Sequence, residues 1–394
     1  MRFHYAWNFT GNNNKNKQSA GLSGTTPAGH LGQGALIQDR VIREETMTGL
    51  FKTLATAVGL AAMLAAPSLA NAADLPSNVR LVIGSKSTGG DTYQNSAIIA
   101  EALSKKLDIN VKVDAVGVSE AFKALDRDSR GTTLMMFHDG AYMGNLYGVR
   151  GYDNIFEKYN VGATVSINPG NAYLVAKDSP FKSMEDVFAA AAAGQRIRVA
   201  IQAGGVSEIG LSAMKNAAKI MYPGAEENIV AVNTGSQADK NQLLFDRQAD
   251  VINGSVQANE QFTQLPQDDQ KAMRFIWVTA REKTIKQANP EGMGNTTSEE
   301  LLGYTTPNVS VTMDGTNDFT FDKEFFFLFN KDMDPAIVET IDNALAEIYA
   351  EGKIQETQKN SFFIPNFLPS KEASAYLEGK SETIRKIISS ISTN

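Results

Sequence analysis

The sequence predicts an α/β protein of two lobes. Short apolar strands alternate with amphipathic helices, the pattern of mainly parallel sheets flanked by helices. The cycle starts afresh near Ser179, which gives two similar sets. The chain of 394 residues is also too long for one core, since single cores stop growing near ~250–300 residues. No low-complexity linker divides the sets. The chain is therefore expected to cross between lobes inside its strands, with a cleft at the crossing.

The first set opens with a strand at Val79–Ile83 and a helix from about Thr92 to Leu107. That helix has an apolar stripe of Ile99, Leu103 and Leu107, with Lys105 and Lys106 toward water. A strand at Val111–Val116, a short helix at Ser119–Leu125 and a strand at Thr132–Phe137 follow. Two more strands, Val161–Ile167 and Tyr173–Ala176, are divided by the turn Asn168-Pro169-Gly170. Ser183 and Asp186 then form a near capping box that opens an Ala-rich helix. Strands are expected at Arg196–Ile201, Ile229–Val232, Ala249–Asn253 and Arg274–Thr279, with a helix between the first two that runs to about Tyr222 and another after the second. Apolar periodicity is poor over Lys283–Asp318. The last part holds the strand-like FTFDKEFFFLF and long helices, including Pro335–Ala350.

The N-terminal region speaks to location. Residues 1–46 are polar and without periodicity, and read as a non-native or disordered extension. Met47–Ala72 has the anatomy of a signal peptide: Lys52, an apolar run over Leu54–Ala66, Pro67, and an Ala70-Asn71-Ala72 cleavage site. Translation from Met47 and a mature N-terminus at Ala73 are expected. The remaining divisions are 73–167 for the first part of lobe 1, 168–280 for lobe 2, and 281–394 for the return to lobe 1.

Composition removes several classes of function. There is no cysteine, so disulfides, thiolate metal sites and cysteine nucleophiles are excluded. Of the three histidines, His4 and His30 fall in the extension, which leaves His138 and no histidine metal cluster. A net charge of −7 argues against nucleic acid as a partner. Gly84 to Gly89 has phosphate-loop spacing but is followed by Gly90-Asp91, an anion where a nucleotide phosphate needs a lysine. Neither a dinucleotide fingerprint nor a G-x-S-x-G elbow is present. No cofactor, no metal and no enzymatic activity are expected.

Four loops just beyond strands share another device. They are Thr88-Gly89-Gly90-Asp91-Thr92, His138-Asp139-Gly140, Ala203-Gly204-Gly205-Val206-Ser207 and Thr234-Gly235-Ser236. Glycines let backbone approach a ligand, and the free N–H groups of a helix's first turn bind a carboxylate. Such loops at the carboxyl ends of strands are where open α/β sheets take ligands. Gly90 is expected to resist substitution because a side chain there would fill the anion's space and strain a positive φ.

These motifs resemble the substrate-binding receptors of tripartite tricarboxylate transporters, the Bug family. The family's Gly-Gly-Gly-x-Asp loop matches Gly89-Gly90-Asp91, one residue shorter, and its S-P-F-K-S segment matches Ser179 to Val187. Further matches are Gln202–Leu211, Val232–Ala238, Arg247–Val251 and Val278 to Arg281, in order along nearly the whole chain from Leu75. The resemblance implies two α/β lobes of the type II-like periplasmic-binding-protein fold. It also implies a monomeric periplasmic receptor that captures a small organic carboxylate and delivers it to inner-membrane transporter subunits. The carboxylate would be a di- or tricarboxylate, an aromatic acid or an acidic amino acid. Carried over by position, the contacts would be Ser87, Thr88, Gly89, Gly90, Asp91, His138 and Asp139 from one lobe. The other lobe would supply Gly204, Gly205, Ser207, Thr234, Gly235, Ser236 and Asn253. The family usually has small polar residues where this chain has His138-Asp139 and Glu208, so these acids either serve helix dipoles or face the cleft and pair with a ligand amine. The same two roles are open to Asp91. A periplasmic sensor feeding a membrane kinase is the alternative reading.

Overall fold

The computed structural model describes residues 75–392; the extension and the signal peptide expected over 1–72 lie outside the described residues. The first sheet begins with β1 (Asn78–Ile83), α1 (Asp91–Leu107), β2 (Asn110–Ala115), α2 (Val118–Asp126), β3 (Thr133–His138), α3 (Gly140–Leu146), α4 (Ile155–Lys158) and β4 (Tyr159–Asn168). The chain then builds a second sheet from β5 (Ala172–Ala176), α5 (Met184–Ala192), β6 (Ile197–Ile201), α6 (Val206–Met221), β7 (Ile229–Asn233), α7 (Gln237–Phe245), β8 (Val251–Gly254), α8 (Val256–Thr263) and β9 (Met273–Val278). After α9 (Glu282–Ile285) and α10 (Ser298–Leu302) it returns with β10 (Lys323–Asn330), α11 (Pro335–Glu351), α12 (Lys353–Asn360), β11 (Ile364–Leu368) and α13 (Ser370–Ser392). Among the described residues no helix is long and apolar enough to cross a membrane.

The strand orders are β11-β4-β10-β3-β1-β2 and β7-β6-β8-β5-β9. Both sheets are mixed, where mainly parallel ones were expected. β1 pairs in parallel with β2 and β3, and β6 with β7 and β8. The strands that carry the chain between sheets reverse this: β10 is antiparallel to β3 and β4, and β5 to β8 and β9. A strand that arrives from the other lobe enters its sheet without a crossover helix, so nothing imposes the parallel sense.

β10 shows how sequence sets the layers. All of its residues are buried, as a central strand requires. Successive side chains leave a strand on opposite faces. Phe325, Phe327 and Phe329 join the core made with Ile99, Leu103 and Leu345, while Phe326 and Leu328 join the one that includes Phe122, Met143 and Leu377. The same alternation sends Lys323 to the α1 side and Glu324 to the α13 side. There Glu324 accepts bonds from Asn366 (2.7 Å) and Tyr376 (3.1 Å).

Helix ends follow local chemistry. Ser183 and Asp186 complete the capping box of α5, and Asp334 caps α11 with Pro335 in the first turn. The connections between sheets are stitched by Thr279. Its N–H donates to the Asn171 carbonyl (2.9 Å), its hydroxyl donates to the Phe321 carbonyl (2.9 Å) and accepts from the Asn171 N–H (2.9 Å). Three chain segments thus meet at one side chain. α13 reaches farther, packing on β4 and α3 and touching α6 of the second sheet.

Candidate functional site

A cavity of about 580 Å³ opens between the two sheets. The first turns of α1, α2, α3, α6, α7 and α8 all contribute to its wall, through Gly90 to Thr92, Val118-Ser119, Gly140, Val206-Ser207, Gln237 and Ala258. Each strand before these helices ends at the cleft, so the chain must turn there and begin its next helix. The result is a wall of positive helix ends from both lobes. No side chain caps α1, α2 or α6, where the N-cap residues are Gly90, Gly117 and Gly205. The first N–H groups of α2 and α6 are suited to an anion, while at α1 the Thr92 N–H is already taken by Asp91 Oδ1. At α7 and α8, Ser236 and Ser255 use their hydroxyls to accept from Asp239 and Ala258.

Eight expected contacts line the cavity: Ser87, Gly90, Asp91, His138, Gly205, Ser207, Gly235 and Ser236. Six do not. Thr88 and Gly89 stand on the outer, exposed side of their turn, where the Gly89 N–H donates to Ser87 Oγ (3.3 Å). Thr234 is turned back, its N–H and hydroxyl both donating to the Ile201 carbonyl. Gly204 has φ +73° and packs beneath Val149 from the other lobe, so close that a Cβ would lie 2.2 Å from Val149 Cγ2. Asn253 is fully buried behind the wall.

Asp139 is the clearest correction. It is fully buried on the far side of β3, accepting from Tyr142, from the Glu324 N–H (2.5 Å) and from Lys380 of α13 (2.8 Å). It anchors the last helix and does not line the cavity. Glu208 likewise turns to its own loop, accepting from the Gly204 N–H (2.5 Å). Gly90 departs from expectation in another way. Its φ of −93° is ordinary extended backbone, and a Cβ there would meet only Ser87 Oγ, at 4.0 Å.

Asp91 follows neither of its two expected roles alone. Its Oδ1 accepts from the Thr92 N–H at 2.8 Å, which serves the helix. Its Oδ2 accepts from Asn168 (2.5 Å) and forms an ion pair with Lys323 of β10. Burial, the largest single influence, would raise the carboxyl pKa; the Lys323 charge and the bonds from Lys323 and Asn168 act together against it, and the net shift is downward. Its amine is therefore supplied by the protein. His138 accepts from the Gly140 N–H at Nδ1 (3.0 Å), which leaves its proton on Nε2. Burial, then the nearby Lys323 charge, push the imidazole down to about 3, so it is a neutral donor.

The residue that sequence reasoning missed is Lys240, in the first turn of α7. It is 4% exposed and lines the cavity. Its Nζ donates to Asn253 Oδ1 (2.9 Å) and lies 3.5 Å from Ser207 Oγ, both neutral oxygens. Among the described residues no carboxylate is within ion-pair distance of it. Burial, then Lys323 across the cleft, depress its pKa to about 7, partly offset by Asp91. Lys323, by contrast, brings its own counter-ion. Lys86, Gly117 to Ser119, Tyr152, Gln202 and Ser255 were missed as well. Gly117 and Ser255 follow predicted strands as the four chosen loops do, so the same rule applied evenly would have found them. Among the described residues no group of His, Asp and Glu is placed to hold a metal ion.

No family model matches the chain, and no curated protein matches it. Solved structures do. Rhodopseudomonas palustris Rpa4515 with adipate is 17% identical with a TM-score of 0.61, covering 80% of this chain and 97% of that one. The periplasmic binding protein BugD is 16% identical at 0.59, over 80% and 97%. MatC (Rpa3494) from R. palustris with bound malate is 15% identical at 0.57, over 80% and 97%. Identities this low speak for architecture alone: the chain has the two-lobed α/β fold of these periplasmic binding proteins.

Proposed function

We propose that the chain is a solute-binding protein that holds a small organic carboxylate between its lobes. The observation that carries this reading is Lys240, a buried amine with no carboxylate within ion-pair distance among the described residues, in a cavity walled by helix N-termini. An isolated buried charge is costly, so such sites are completed by a partner of opposite sign. The cavity volume suits a compact ligand. Two proteins of the same fold, described above with adipate and malate, support the ligand class. His138 offers a donor where hydrolysis would need a base, which favours binding over catalysis. Delivery to a tripartite tricarboxylate-type transporter from the periplasm is the finer part of the proposal, as is closure of the lobes on the ligand.

A calorimetric and thermal-shift panel of succinate, malate, adipate, citrate, glutamate and benzoate tests the ligand class. At least one should bind, and at a hundredfold excess over its Kd it should stabilise the protein by about 2.7 kcal/mol. No response to any of the six would overturn the proposal.

A further inference from the structure

We propose that the ligand carboxylate becomes the counter-ion of Lys240 and that the amine takes up a proton from solvent as it binds, so that loading turns a neutral amine into a buried ammonium–carboxylate pair. This rests on the carboxylate reading above and adds to it a coupling between ligand capture and pH.

The geometry around the Nζ supports it from every side. From α6 comes the Ser207 hydroxyl, while Glu208 on the same helix is turned to the Gly204 N–H. β8 supplies the Asn253 amide oxygen, and β5 the Tyr173 hydroxyl, which accepts from Asn253 Nδ2 (3.3 Å) and is held neutral by burial. On β6, Arg198 is tied to Asp250 at 2.8 Å. On α7 itself, Asp239 is exposed to water and lines the cavity without forming an ion pair with Lys240, and Asp246, just past the helix end, is exposed. Across the cleft, Asp91 and Lys323 neutralise each other and His138 is uncharged. Among the described residues this amine is thus held by neutral partners, with no ion pair to balance its charge.

An amine so placed sheds its proton easily, and its pKa is depressed to about 7. Close approach of a carboxylate favours the charged form and raises that value again. At pH 8 about nine-tenths of the empty sites are neutral, and each would take up a proton on loading. At pH 6 nearly all are already charged, and loading would take up almost none.

Acetate, succinate, malate and adipate are the probes, titrated calorimetrically at pH 6, 8 and 9 in phosphate and in Tris. The two buffers differ in ionisation heat, so proton uptake is read directly. The expected result is close to one proton per ligand at pH 8, falling toward zero at pH 6, with affinity declining about tenfold from pH 8 to pH 9. Lys240→Gln should lose proton uptake and bind at least tenfold more weakly. Lys240→Arg, which stays charged, should bind with no proton uptake and no such pH dependence. Binding by the native protein with no proton exchange at pH 8 would overturn this inference and leave the carboxylate reading standing. Failure of all four probes, and of citrate, glutamate and benzoate titrated in the same way, to bind would overturn both.

Discussion

Asp91 and Lys323 show what a single pair decides. They are 232 positions apart in sequence, and each is buried at the cavity wall. Removing one partner strands the other, a change that typically costs about 3–5 kcal/mol. Asp91→Asn should therefore lower stability by about that much at pH 7, as read from urea unfolding. The pH dependence has a defined sign. The folded pKa lies below the unfolded value of 3.8, so the stabilising contribution is complete above that value and is lost as pH falls through the folded one. The gap between native protein and variant should close below pH 4. A gap that persists there would mean the pair is not its source. Sequence alone could not have shown this pair, because burial and a partner from a returning strand are properties of the assembled fold. Lys323 left one trace, a lone cation in a strand otherwise dense with phenylalanine.

At the scale of elements, the strand-then-glycine-then-helix units were legible because each is local. The strand ends, a turn residue follows, and helix periodicity begins within a few positions. Each of the four loops has residues that line the cavity, yet only some of their residues reach it. Which side of a turn faces inward depends on neighbours distant in sequence. Gly204 illustrates the point, since its own loop does not announce Val149. The contact joins the α6 turn to the connection between α3 and α4, across the cleft. Gly204→Ala should cost about 1 kcal/mol of stability through its positive φ. It should also weaken carboxylate binding by about 1–3 kcal/mol through steric conflict between the lobes. Adding Val149→Ala should restore affinity while leaving the backbone cost in place. Equal loss of affinity in single and double variants, measured by titration, would show that the conflict lies elsewhere.

At the scale of the whole molecule, the directions of the strands were the least legible feature. β3 and β4 are separated in their sheet by β10, whose residues lie beyond the entire second sheet in sequence. A reading that moves along the chain sees β10 last and has no local sign of its place in the middle. The consequence is one of timing. Strands β5 to β9 are contiguous and can pair as soon as they exist. The other sheet has a gap at its centre until residue 330 is in place, and non-local pairings of this kind form slowly. During synthesis at about 5–20 residues per second, the strands flanking that gap wait on the order of ten seconds for their neighbour. In refolding followed by pulsed hydrogen exchange, amides of β6 and β8 should gain protection before those of β1, β3 and β10; simultaneous protection would refute that order. For those seconds the apolar edges of β3 and β4 have no partner strand, and that interval is when the chain is most exposed to aggregation.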